Sequence, residues 1–351
     1  MKTKWIGLAV LLLVIAGAGL YAAVGRPAET VEITGFVGGE KIGLLEDEQV
    51  TERMEEKYGL KMDYARAGSL DMITADHSGR NYLFPSSQTA LELYENLYGR
   101  PVKSEIVLNT PIVLYTRRAV ADALTEQGIV SEEDGVLYGD MEKLTQCLED
   151  GTTWEELGLP QLYGSFSVGT TDPNKSNSGN MFAGLLANIL CGGVADESNI
   201  DEALPRLRSI FQKLGYMETS SSDLFDQFLK TGMGAKPLIA GYENQLLEFA
   251  VQNPSDWEQV KDDIVMIYPN PSVWSAHVFI ALDEAGAKGI DALMDEGVQQ
   301  LAWDRHGFRT GVYGTAMDTE KFGVDGVAGE ITRIAPMPDV NTMMKIMDAL
   351  K

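Results

Sequence analysis

Basic residues are scarce in this 351-residue chain: 28 lysines and arginines stand against 52 aspartates and glutamates, a formal net charge of -24 at pH 7. Nucleic-acid binding needs a positive footprint against the phosphate backbone, so that class is excluded. The same charge repels anions at long range, although salt shortens the reach to about 10 Å. Cysteine is scarcer still, with 2 residues, Cys147 and Cys191. They provide no disulfide framework and no CxxC zinc spacing. Cys147 lies beside Leu144 and Leu148, and Cys191 closes an apolar stretch, which predicts buried free thiols over a bridge. The three histidines, His77, His277 and His306, lie far apart, and none sits in a Gly-x-Ser-x-Gly or metalloprotease arrangement. An enzyme is therefore not expected, nor a metal or cofactor, and the acidic run "EDE" at 46 to 48 reads as a solvated helix face.

What is present begins with a long apolar run. Lys2 and Lys4 precede Trp5 to Val24, which contains no charged residue. At about 1.5 Å per helical residue this is long enough to cross a bilayer, and the flanking lysines orient the acidic body outward. Residues 1–30 are expected to be a signal peptide or an uncleaved membrane anchor; small-residue sites around Ala18 and around Ala23 to Gly25 leave both open. A lipid anchor would need a cysteine just after this run, and the first is Cys147. The remainder, within a chain 44% hydrophobic and 23% charged, suits a soluble body too large for one core.

That body alternates strands and helices. "VEITGFVGGEK" reads as a strand ending at Gly38 and Gly39, with a helix through "EDEQVTERMEEKYG" stopped by Gly59. "LKMDYARAGSLDMI" and "NYLFPSSQTALELYENLYG" repeat the design, with turns at Gly68–Ser69 and at Pro85–Ser87. Three such units imply a parallel sheet with its turns on one edge, where ligands bind beyond the carboxyl ends of the strands. "SEIVLNTPIVLYTRRAVADAL" and "DDIVMIYPNPSVWSAHVFIAL" are β-rich stretches interrupted by Pro111 and by Pro269 and Pro271. Proline lacks the ladder N–H, so each is expected to hold a crossing between lobes instead of one continuous strand. The fold class is accordingly α/β, with lobe 1 from 31–113 and 269–351, and lobe 2 from 114–268, including a strand at "GSFSVGTTD".

In its order of turns and crossings the chain resembles the extracytoplasmic solute-binding proteins of ABC importers, of the two-lobed, type II kind. It is most similar to the branch that binds molybdate, tungstate, sulfate and phosphate. The residues carrying this are "GGEK", "AGSLDM", "PSSQT", "NTPIVLYTRRAV", "DPNKSNSG", "KPLIAGYENQ" and "DRHGFR". The resemblance implies a cleft between lobes in which hydroxyls, amides and helix N-termini hold a small solute, most simply an inorganic oxyanion, and a permease as partner. Two departures stand out: no lipid-anchor cysteine, and Glu40 where an anion site usually avoids a carboxylate.

The expected ligand-binding residues are Lys41, Ser69 and Ser87 from lobe 1, and Ser176, Ser178 and Tyr242 from lobe 2. Each has a plainer reading. Ser69 and Ser87 are equally suited to capping helices, Lys41 to pairing with Glu40, and Tyr242 to filling the core. "TTDPNKSNSGNMFAGLLANIL" shows the same ambiguity, since hydroxyls at a helix start either cap it or complete an anion site. Arg117, Arg118 and Arg309 are placed at a cleft rim or on a solvated surface, and His306 at a helix end. The alternative function is a membrane-tethered sensor or interaction module with the same fold and no transporter.

Overall fold

The computed structural model describes residues 30–310 and 317–351, so the expected signal peptide or anchor lies outside the described residues. Among the described residues no helix is long and apolar enough to cross a membrane.

The three β-turn-α units form as their punctuation dictates. β1 (Val31–Val37) is followed by a helix at Glu48–Tyr58, which Asp47 caps through Gln49 N and Gly59 stops at φ 56°. β2 (Leu60–Arg66) leads into one helical turn at Asp71–Thr74, and β3 (Tyr82–Phe84) into the helix Gln88–Tyr98. β1 pairs in parallel with both β2 and β3, so the turns after all three strands share one edge.

β4 (Lys103–Arg117) corrects the first expected crossing, because it is one unbroken strand of 15 residues. Pro111 occupies the last position paired with β9, opposite Trp274; from Ile112 onward the partners are different strands. The missing N–H thus falls at the changeover of neighbours, where an interior proline is tolerated. β5 (Val130–Glu133) and β6 (Val136–Asp140) form a hairpin through Asp134 and Gly135, both at positive φ. β7 (Leu238–Tyr242) and β8 (Ile264–Asn270) flank the second half of β4. The second crossing does break: β8 ends at Asn270 and β9 (Trp274–Ala281) starts afresh, with Ser272 Oγ donating to Ile112 O at 2.6 Å. The short β10 (Arg309–Thr310) returns beside β4.

Two lobes result, with β4 a member of both. Lobe 1 orders its strands β2-β1-β3-β9-β4, and lobe 2 places β7 and β8-β6-β5 about the far half of β4. "GSFSVGTTD" forms no strand; it makes isolated bridges to three separate segments, Ser165 to Thr153, Gly169 to Ile239 and Thr171 to Glu218, and no continuous ladder. As a division of the chain we propose boundaries at the two crossings, with one change for the tail. Ala328 packs with Tyr115 and Phe228, and Met343 and Ile346 with Leu185 and Leu186, all within lobe 2. This packing is at odds with giving all of 269–351 to lobe 1. Both cysteines are free and half-buried, and burial pushes their thiols above the ordinary range.

Candidate functional site

The carboxyl ends of β1, β2 and β3 present three turns side by side, and the first turns of two lobe 2 helices face them. These helices span Asn177–Cys191 and Ser221–Lys230. Between the two sets lies a cavity of about 360 Å³, lined by Gly38 to Glu40, Arg66 and Ser69 on one side and by Lys175 to Asn177 and Ser220 on the other. The N-cap serines Ser176 and Ser220 make no side-chain hydrogen bond to the backbone amides of their own helices, Ser176 Oγ lying instead 3.2 Å from Ser178 Oγ. Their first-turn amides therefore lack the usual side-chain cap, and the positive ends of both helix dipoles point at one space. Arg66 reaches across to Ser220, Nη2 to Oγ 3.4 Å. Behind the lining, a Cβ on the buried Gly179 would lie 2.1 Å from Thr171 O, so only glycine fits at that point of the helix.

Behind the cavity wall lies a buried polar cluster. Lys41 is wholly buried; its Nζ donates to Glu40 Oε1 at 2.5 Å and to Ser86 Oγ at 2.6 Å, and lies 3.2 Å from His277 Nδ1. An ammonium has three donors and no acceptor, so His277 accepts at Nδ1 and Lys41 has none left for a solute. Ser86 Oγ also bonds Glu40 Oε1. Burial alone would push the Glu40 carboxyl up, but the Lys41 ammonium and the Ser86 hydroxyl overcome it and hold the group at about 2. His277 is driven well below its ordinary value by burial and then by Lys41, so its ring is neutral.

One side chain ties the lobes together. Asn177 Nδ2 donates to Ser86 O at 2.9 Å and to Tyr242 Oη at 3.0 Å, while Ser275 Oγ donates to the same Ser86 carbonyl at 2.7 Å. Asn177 Oδ1 is buried without a partner among the described residues.

All six residues singled out from the sequence lie at this junction. Ser69 and Ser176 line the cavity; Lys41, Ser87, Ser178 and Tyr242 lie outside its lining. Ser69 Oγ accepts from Ser86 N at 2.9 Å, Ser87 Oγ caps its helix through Ala90 N at 3.3 Å, and Ser178 Oγ lies 2.8 Å from Thr171 Oγ1. Each thus has a structural partner, and their contact with a solute stays a proposal. Arg309 is no rim residue: it is buried, with Nε donating to Glu243 Oε2 at 2.6 Å and Nη2 to Oε1 at 2.8 Å. Arg117 is likewise buried and donates to Phe228 O.

Sequence reasoning passed over Arg66 and Lys175, and set Asn177 at the cleft beside Ser176 and Ser178 without choosing it as a binding residue. Arg66 ends β2, so the rule that picked Ser69 beyond the same strand would have found it. Among the described residues, no group of three or more His, Cys, Asp or Glu gathers where it could hold a metal ion.

The ionised Glu40 makes stability depend on pH. Its carboxyl titrates near 4.5 when unfolded and about 2 when folded, so its contribution is complete above about pH 4.5 and is lost as the pH falls toward 2. Acid titration followed by circular dichroism should show unfolding in that window, and Glu40→Gln should flatten the dependence.

No protein-family model matches the chain, and no curated protein matches it either. Solved structures do. The sulfate-binding protein SubI from Mycobacterium tuberculosis is 13% identical, with a TM-score of 0.56 over 90% of this chain and 96% of its own. The periplasmic binding protein AfuA from Actinobacillus pleuropneumoniae, with fructose-6-phosphate bound, is 15% identical, with a TM-score of 0.57 over 90% of this chain and 96% of its own. A substrate-binding protein of an ABC transporter from Agrobacterium tumefaciens is 11% identical, with a TM-score of 0.57 over 93% and 96%. The likeness establishes the fold: the chain has the two-lobed architecture of the type II periplasmic binding proteins.

Proposed function

We propose that this chain is an extracytoplasmic solute-binding receptor that holds a small anionic solute between its lobes and delivers it to an ABC-type importer. The observation that carries the reading is the cavity itself. Arg66 from lobe 1, and Lys175 and two helix starts without side-chain caps from lobe 2, converge on about 360 Å³ that the carboxylates of Glu40 and Asp223 also line. Neutral donors and dipoles suit a dehydrated anion because every oxygen needs a hydrogen bond more than it needs a countercharge. The net charge of -24 then works against capture only at long range. The same fold serves sulfate and fructose-6-phosphate binding in the two named neighbours, which supports an oxyanion head on the solute.

Hinge motion about the crossings would make the lobe 1 and lobe 2 contacts simultaneous only when the lobes meet, so solute shifts the population toward the closed form. Ser69 and Ser176 are the sequence-chosen residues we place against the solute; Lys41, Ser87, Ser178 and Tyr242 would support the wall.

Thermal-shift titration with molybdate, tungstate, sulfate, phosphate, small carboxylates and amino acids tests this. A true ligand at a hundredfold excess over its Kd stabilises by about 2.7 kcal/mol. Arg66→Ala and Lys175→Ala should each weaken binding at least about tenfold, the loss of one charge-assisted contact, while leaving the unliganded melting temperature nearly unchanged. If no small solute shifts the transition, the receptor reading fails and the tethered-module alternative gains.

A further inference from the structure

The wall of the cavity is not uniformly cationic, and its one buried carboxylate faces in a telling direction. The Glu40 side chain is 7% exposed and lines the cavity. Its Oε1 is engaged by Lys41 and Ser86, whereas Oε2 has no hydrogen bond among the described residues. A Cβ on Gly38 would lie 2.9 Å from that Oε2, and a Cβ on Gly39 would lie 2.6 Å from Arg66 Nη2. The carboxylate and the guanidinium therefore flank neighbouring glycines, whose Cα atoms are about 3.8 Å apart. Among the described residues no ion pair joins the two, so a charged acceptor and a charged donor meet one cavity without neutralising each other.

A bare inorganic anion bound by Arg66 and the helix starts would have an ionised carboxylate as its neighbour, with nothing to offer it. A buried acceptor left without a donor keeps its desolvation penalty uncompensated, the more so when it is charged. The volume, about 360 Å³, falls among the roughly 300–1,000 Å³ of organic ligand sites. Asn177, nine-tenths buried and also lining the cavity, supplies a second unpartnered acceptor in Oδ1.

We propose that the solute is a small organic anion carrying a hydroxyl or ammonium donor a few bonds from its acidic group. The acidic head lies against Arg66, Lys175 and the helix starts at Asn177 and Ser221; the donor lies against Glu40 Oε2. This rests on the receptor reading and narrows its solute class.

Titration calorimetry on matched probes tests it: ethyl phosphate against 2-aminoethyl phosphate and 2-hydroxyethyl phosphate, and propionate against alanine and lactate, with inorganic phosphate and sulfate alongside. In at least one set the donor-bearing member should bind at least tenfold more tightly than its donorless partner, and Glu40→Gln should reduce that ratio to threefold or less. Should the variant fail to fold, the ratio in the unaltered protein decides. Equal binding within both sets, tighter binding of inorganic phosphate or sulfate, or a ratio untouched by Glu40→Gln overturns the inference and leaves the receptor reading standing. Absence of binding by every probe overturns both.

Discussion

Lys41→Met should destabilise the protein by about 3–5 kcal/mol, the usual cost of stripping the partner from a buried charge. The reason is geometric: Lys41 is wholly buried, and its ammonium is what keeps Glu40 ionised inside the wall. Glu40→Gln combined with Lys41→Met should recover at least half of that loss, because no uncompensated charge is then left behind. Urea unfolding with an unchanged slope gives the comparison directly. Were Lys41 instead an open donor waiting for an anion, the single substitution would leave stability near that of the unaltered protein and abolish binding alone.

The second large effect concerns the other buried pair. Arg309→Leu leaves Glu243, which has no exposed surface, with Tyr268 Oη as its remaining side-chain donor, and should also cost about 3–5 kcal/mol. Arg309 in addition donates to the carbonyls of Ala328 and Gly329, so its fork joins β10, the start of the helix Glu243–Gln252 and the tail. Lysine presents a point charge instead of a planar fork, and Arg309→Lys should therefore restore less than half of the lost stability. Tyr268→Phe removes two hydrogen bonds, the one Tyr268 Oη donates to Glu243 Oε1 and the one it accepts from Ala328 N, and leaves the Arg309 charge in place; it should cost about 1–3 kcal/mol, which separates loss of the charge from loss of a neighbour. Recovery by lysine to the stability of the unaltered protein would refute the bidentate account.

How far the sequence reads true differs from element to element. Gly59, Gly68 and Ser87 stand where chain direction changes, and backbone chemistry makes such positions visible in any α/β chain; the parallel units followed from them. The hairpin at Asp134–Gly135 carried an equally plain signal but sat among charged residues, and no strand was read there. Pro111 misled because a ladder rule was applied without knowing that β4 exchanges partners at that residue. The site was legible as a place and not as a set of contacts. Strand ends located the three turns, yet whether a serine faces the cavity or its own helix depends on rotation about single bonds, which spacing does not encode. Glu40 is the clearest example: it looked like an obstacle beside a lysine, and only its two oxygens, one engaged and one open to the cavity, give it a part to play.

Because β4 runs uninterrupted through both lobes and is bonded along its flanks, it resembles the spine of a book more than a string between two covers. Swing about a spine is smallest beside it and grows toward the fore-edge. Ser275, opposite Thr110 of β4, anchors the Ser86 carbonyl that Asn177 grips, so this inner contact should barely part. The exposed Arg66–Ser220 contact lies at the fore-edge and should separate most widely. A solute would then come and go past its cationic end, its acidic group the first part seized on entry and the last surrendered on departure.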